Sequence, residues 1–109
     1  MRFPKFCVSV VGLCLAISVP AIAADAAEGQ KTYLAKCKTC HGPTGAGNPG
    51  MAKALKVEIR DFASPEVQKK SDDELKKDSR DGVGKMKATA GLSDADLNNV
   101  VAFIRTLKK

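Results

Sequence analysis

The chain has 109 residues, and its 18 basic and 12 acidic side chains give it a net charge of +6 at neutral pH. This length predicts a single domain. The basic residues form no run of five or six, and one tyrosine and four phenylalanines are the only aromatic residues. A nucleic-acid-binding protein would combine a basic patch with interleaved aromatic residues, so we expect no nucleic-acid partner.

The first 23 residues have the pattern of a secretory signal peptide. Arg2 and Lys5 form a positive start, residues 6–24 carry no charge, and the small-residue pattern AIA follows Pro20. The pattern predicts cleavage after Ala23. An uncleaved membrane anchor is the alternative, because the uncharged run is nearly long enough to span a bilayer. Pro20 and the small residues favour cleavage.

Residues 24–109 are the predicted functional domain. Removing Arg2 and Lys5 leaves 16 basic and 12 acidic residues, a net charge of +4. Cys7 and Cys14 lie in the signal segment, and neither follows the small residue that a lipoprotein site would need. A domain of this length buries a modest share of its surface. It also has few aromatic residues, so we expect a bound group to fill part of its centre.

The first half of this domain predicts helices joined by a long loop. The sequence DAAE at 25–28 has the capping-box pattern and starts a helix through Gly29, Tyr33 and Cys37 that ends near His41. Residues 42–50 contain four glycines and two prolines, which predicts a loop. Residues 51–57 follow as a short helix.

The second half predicts three further helices. Ser64 and a proline at the next position begin a short helix that reaches about Lys70. Ser71 opens another helix through a capping box, and residues 82–92 form a loop. Ser93 then caps a last helix, whose apolar residues recur at helical spacing: Leu97, Val100, Val101, Ile104 and Leu107.

The motif CKTCH, residues 37–41, carries the chemistry. It places two cysteines beside His41, the only histidine of the chain. A thioredoxin-like dithiol would need neighbouring strands, structural zinc would need a fourth ligand, and a Cys37–Cys40 disulfide would leave His41 without a role. Covalent haem attachment uses all three residues, and Cys-x-x-Cys-His is its sequence signature.

The whole domain resembles a class I c-type cytochrome. The resemblance implies an all-α, cytochrome c-like bundle of about four to five short helices wrapped around one covalently bound haem c with its iron. It also implies a soluble one-electron carrier rather than an enzyme. The matching features occur in the family's order: Gly29 and Tyr33, the CKTCH motif with Cys37, Cys40 and His41, the glycine-rich loop with Pro49, Met86 in GVGKMKA, and Phe103-Ile104-Arg105.

The expected iron ligands are His41 and Met86. Ligation by two histidines of one chain is excluded, and the other methionine of the domain, Met51, follows His41 by only ten residues. The resemblance points to Met86, although Lys87 stands where the family usually has proline. If Met86 were only a core residue, Met51, a lysine or an open site would take its place. An open site would indicate a haem enzyme or a gas sensor.

Supporting roles follow for other residues. The resemblance implies that the Pro49 carbonyl accepts a hydrogen bond from the second ring nitrogen of His41. Gly29 is expected to let the first and last helices approach closely, with Phe103 nearby. Tyr33 is expected to pack in the core or at the haem edge.

The expected function is electron transfer between exported or membrane-bound redox proteins. Methionine ligation raises the reduction potential of a haem iron. Four lysines, called here the lysine ring, flank the two ligand segments and could steer an acidic redox partner: Lys36, Lys38, Lys85 and Lys87. The signal peptide predicts a periplasmic protein, and we expect a monomer without stable membrane insertion.

Overall fold

The computed structural model describes residue 2 and residues 9–15 and 24–109. The predicted cleavage after Ala23 lies outside the described residues, as do Lys5 and Cys7. Residues 9–15 form no helix or strand, and four of their apolar side chains are 78% to 85% exposed: Val10, Val11, Leu13 and Leu15. Among the described residues, no helix combines the length and the apolar character needed to cross a membrane.

The described part of the chain is helical and contains no strand, which confirms the predicted all-α class. Its six helices are α1 (Ala26–Lys36), α2 (Lys38–His41), α3 (Pro49–Leu55), α4 (Pro65–Gln68), α5 (Asp72–Asp81) and α6 (Asp94–Thr106). Four to five were expected. The additional one is α2, because the predicted first helix is interrupted at Cys37, which caps α1 and precedes a separate turn.

Side-chain caps explain where the other five helices begin. Each starts after a residue whose side-chain oxygen accepts a hydrogen bond from a backbone N–H of the first turn, and these residues are Asp25, Asn48, Ser64, Ser71 and Ser93. Such caps satisfy donors that have no partner inside the helix. The capping boxes predicted at Ser71 and Ser93 are both complete.

The capping box predicted at the start of α1 was wrong in one half. The Asp25 carboxylate accepts from the N–H groups of Ala27 and Glu28, as a cap should. The Glu28 carboxylate does not return to the Asp25 backbone; it pairs with Lys31 at 2.8 Å. The Asp25 N–H instead donates to the side-chain oxygen of Asn99 in α6, at 2.8 Å.

The core lies along α6, which packs against α1 and α5. Its central cluster combines one residue each of α4 and α5 with three of α6, namely Val67, Leu75, Val100, Val101 and Ile104, and Phe62 packs against them. Four of the five apolar positions predicted for the last helix are buried, and the fifth, Leu107, is half-buried.

Gly29 sets how closely α1 crosses α6, as expected. A Cβ atom at this position would lie 2.9 Å from the backbone nitrogen of Val100 and would collide with the backbone oxygen of Asn99. The two backbones therefore touch where only glycine leaves room. Phe103 packs nearby, with its ring centroid 5.0 Å from that of Tyr33.

Arg105 ties α6 to the connection between α4 and α5. Its guanidinium donates to the Asp72 carboxylate at 2.8 Å and to the backbone oxygens of Gln68 and Lys70 at 2.7 and 2.6 Å. This planar, multiply bonded contact suits arginine and holds the short helix α4 in place.

Candidate cofactor site

The CKTCH motif forms the junction between α1 and α2. Cys37 caps the end of α1, Cys40 and His41 lie in the single turn of α2, and Gly42 ends that turn with φ of +75°. Both cysteines are half-buried and carry free thiols, so the structure contains no Cys37–Cys40 disulfide. Burial raises the pKa of the Cys37 thiol. Two unpaired thiols thus lie three residues apart in the sequence, and His41 directly follows the second.

His41 is a half-buried imidazole in contact with Phe62. Its ring stacks on Phe62, with centroids 4.5 Å apart and planes inclined by 25°. Burial lowers the pKa of His41, and neutral imidazole is the form that binds a metal. Within residues 24–109 its Nδ1 atom is buried without a hydrogen-bond partner. The acceptor role expected for the Pro49 carbonyl is therefore not formed in this structure and stays a prediction.

Asn48 joins this motif to α3. Its side-chain N–H donates to the Thr39 oxygen at 3.0 Å, and its backbone N–H donates to the Cys40 oxygen at 2.9 Å. Its side-chain oxygen caps α3 by accepting from Gly50 at 3.0 Å. Sequence reasoning missed Asn48, although an asparagine before Pro49 repeats the cap-then-proline pattern recognised at Ser64.

Tyr33 fastens the other side of the motif to the core. Its side chain is fully buried, and its hydroxyl donates to the Gly42 oxygen at 2.6 Å. Burial raises the pKa of Tyr33 to about 12, so the hydroxyl keeps its proton at neutral pH. The ring packs between Phe103 and Phe62, which in turn contacts His41. The expected core role of Tyr33 is confirmed.

Met86 closes a tight hairpin turn. The backbones of Val83 and Met86 exchange two hydrogen bonds, at 3.1 and 2.8 Å, and Gly84 in the turn has φ of +55°. Gly82 adopts φ of +80° and leaves no room for a Cβ beside the Met86 oxygen. These contacts give the loop a defined shape without a proline after the methionine.

The same loop is held by one hydrogen bond on each side of Met86. Thr89 N–H donates to the Ser79 oxygen of α5 at 3.0 Å. The Lys85 ammonium donates to the Leu55 oxygen at the end of α3, at 2.7 Å. Met86, a half-buried residue, therefore lies in a segment held by both α5 and α3.

The segments around the motif and around Met86 leave apolar side chains incompletely covered. Among the described residues, no apolar side chain of 38–62 or 76–96 is fully buried. Seven large ones are half-buried: Met51, Leu55, Val57, Ile59, Phe62, Met86 and Leu92. Such side chains, two free thiols and an unsatisfied imidazole nitrogen fit a large apolar group with covalent and metal attachment. Haem is such a group.

The donor set does not fit structural zinc. Such a site needs four ligands, usually Cys and His. In the described ranges, no three His, Cys, Asp or Glu side chains are grouped so that they could hold a metal ion.

Comparison with known proteins identifies the family. The family model for cytochrome c matches residues 26–108. Cytochrome c6 of Synechococcus sp. is 38% identical over 98 residues, which cover 88% of this chain and 82% of the relative. Cytochrome c-554(547) of Halothiobacillus neapolitanus is 36% identical over 91 residues, or 79% of this chain and 100% of the relative.

A solved structure agrees with this result. The KustC0563 c-type cytochrome superposes with a TM-score of 0.63 and 32% identity, over 74% of this chain and 98% of its own. The chain belongs to the cytochrome c family, and it is an electron carrier with covalently bound haem c and its iron.

Proposed function

We propose that this protein is a soluble one-electron carrier in which Cys37 and Cys40 attach the haem and His41 and Met86 ligate its iron. The CKTCH motif supports the attachment: it combines two free, half-buried thiols with an imidazole that has an unsatisfied ring nitrogen. When haem is bound, Pro49 is the proposed acceptor for the second nitrogen of His41, which would hold the ring in one orientation.

The choice of Met86 over Met51 rests on how each segment is held. Met51 lies in the first turn of α3, and Asn48 bonds that turn to Cys40 and Thr39, on the same stretch as His41. Met86 comes from a separate, shaped hairpin with its own anchors on α5 and α3. A ligand from a second segment can approach the iron independently of the attachment motif.

A closed ligand pair suits electron transfer and not catalysis. Bound haem supplies an iron that gains and loses one electron, and a methionine ligand favours the reduced state. The protein's part is to hold the two ligands in place. His41 is the only histidine of the chain, so no second imidazole is present to serve as a distal acid or base. We propose no enzymatic role.

Docking to partners is proposed to use the lysine ring. Lys36, Lys38, Lys85 and Lys87 are all exposed. Positive charge around the cofactor would speed encounter with redox proteins that present acidic surfaces. We propose that the protein works as a monomer and binds no nucleic acid.

Export to a bacterial periplasm is proposed from the N-terminal segment. Its described apolar residues are almost fully exposed, which is unfavourable in a mature protein and normal for a segment that is removed. The family match begins at residue 26, just after the proposed cleavage site at Ala23. Mass spectrometry of the exported protein tests this: a first residue other than Ala24 would contradict the cleavage.

Carbon monoxide binding to the reduced holoprotein tests the closed site. The proposal predicts reversible one-electron reduction and carbon monoxide binding that is much slower than to a Met86→Ala variant with an open site. Met51→Ala is the matched control and should behave as the unmodified protein. Immediate carbon monoxide binding by the unmodified protein would contradict the proposal and favour a sensor or an enzyme.

The salt dependence of electron transfer tests docking separately. A Lys36→Glu, Lys87→Glu double variant should react more slowly with an acidic partner and lose salt dependence, because exposed charges act through a screened field. A Lys69→Glu, Lys77→Glu variant makes the same charge change on exposed lysines outside the lysine ring. Equal effects of the two double variants would leave only net charge as the cause.

A further inference from the structure

The loop that carries Met86 lacks the proline that would restrict the chain directly after the methionine. Lys87 occupies that position, so no proline ring fixes the φ angle there. The hairpin bonds between Val83 and Met86 fix the turn itself, and Thr89 fixes the loop to α5. None of these contacts connects the loop to the segment that carries His41.

Lys85 makes that connection through a hydrogen bond to α3. Its ammonium lies 2.7 Å from the backbone oxygen of Leu55, 30 residues away in the sequence. Within residues 24–109 it makes the only hydrogen bond between residues 82–89 and residues 37–62. The last carbonyls of a helix lack intrahelical partners, so the Leu55 oxygen is a suitable acceptor.

The acceptor is itself tied to the attachment motif. Helix α3 ends at Leu55 and is capped by Lys56, which has φ of +54° and donates its backbone N–H to the oxygens of Ala52 and Lys53. At its other end, α3 is capped by Asn48, which bonds to Thr39 and Cys40. A continuous path of hydrogen bonds and helix therefore runs from Met86 through Lys85 and α3 to the turn that contains His41.

We propose that Lys85 is a positioning residue that holds the Met86 hairpin against α3 and so keeps the methionine sulfur available to the iron. This role rests on the proposed His41–Met86 ligation. It assigns to Lys85 a second function besides docking. Lys87, which carries the same charge on the other side of the methionine, has no such function.

Competition by free imidazole for the ferric holoprotein tests the role. Imidazole must displace the methionine, so a looser Met86 loop binds it more tightly. A Lys85→Leu variant should bind imidazole about three- to tenfold more tightly than the unmodified protein, as expected for the loss of one solvent-exposed hydrogen bond. Lys85→Arg keeps a donor and should stay within about twofold.

Lys87→Leu is the matched control. It removes the same charge one residue from Met86 without removing a hydrogen bond to α3, and it should change the affinity less than about twofold. Equal tightening by Lys85→Leu and Lys87→Leu, or no change in either, would overturn the positioning role. Failure of the proposed ligation looks different, because Met86→Ala would then leave imidazole binding unchanged.

Discussion

The Tyr33 hydroxyl donates a hydrogen bond to the backbone oxygen of Gly42, the residue that follows His41, at 2.6 Å. The core between α1 and α6 thereby contacts the end of the attachment motif directly. Since the tyrosine is fully buried, this bond links the stability of the helix pair to the position of the ligand-bearing turn.

Ionisation of Tyr33 should lower the unfolding free energy at alkaline pH. Burial raises its pKa from 10.0 to about 12, so the folded protein keeps a proton that the unfolded chain releases. This contribution is complete below about pH 10 and is lost as the pH rises towards 12. Between pH 9 and pH 11 the unfolding free energy should fall by about 1 kcal/mol more than in Tyr33→Phe, which cannot ionise.

Guanidinium unfolding of both holoproteins at the two pH values gives this difference. Lysine titration and ligand exchange occur in both proteins and cancel in the comparison. Equal losses of stability in the unmodified protein and in the Tyr33→Phe variant would show that the hydroxyl is not protected by the fold.

Gly29→Ala should be strongly destabilising. The new methyl group would collide with the backbone oxygen of Asn99 in α6 and would lie 2.9 Å from the backbone nitrogen of Val100. Both atoms belong to the helix backbone and cannot move without the rest of α6. We expect a loss of more than about 2 kcal/mol in unfolding free energy. Gln30→Ala changes the next, exposed residue of α1 and should stay within about 0.5 kcal/mol. Similar stability of the two variants would mean that the helices do not touch at Gly29.

Asn48 should contribute through two separable contacts. Asn48→Ala removes both the cap on α3 and the bond to Thr39, with an expected loss of about 1–2 kcal/mol. Asn48→Asp keeps the cap but cannot donate to the Thr39 oxygen. It should therefore lose only about half as much unfolding free energy as Asn48→Ala. Thermal unfolding of the three proteins checks this. An aspartate variant no better than the alanine variant would refute the capping contribution.

The two glycines of the Met86 loop should respond differently to alanine. At Gly82 a Cβ would lie 2.8 Å from the Ala88 nitrogen and would collide with the Met86 oxygen, at φ of +80°. At Gly84 nothing lies within 4 Å, so only the left-handed backbone costs about 1–2 kcal/mol. Imidazole binding to the ferric protein should tighten markedly for Gly82→Ala and little for Gly84→Ala. The reverse order would place the constraint in the turn itself.

Local signals in the sequence were sufficient for most of the fold. Ser64, Ser71 and Ser93 begin helices because a cap depends on residues within one turn. The spacing of the apolar residues of α6 predicted its buried face, and Gly29 predicted the close contact between α1 and α6. These features are readable since each depends on its immediate neighbours or on a simple repeat.

Contacts between distant residues were not readable. Asp25 lost its expected box because its N–H pairs with Asn99, 74 residues away. The bond from Lys85 to Leu55 likewise depends on how the loop folds over α3. No glycine or proline at Cys37 predicts the break that separates α2 from α1.

The absorption spectrum of the oxidised holoprotein tests the central proposal most directly, through the weak near-infrared band of methionine bound to ferric haem. His41–Met86 ligation predicts that the unmodified protein and Met51→Ala show the band and that Met86→Ala lacks it. A band that survives in Met86→Ala, or is missing from the unmodified protein, would contradict this ligation.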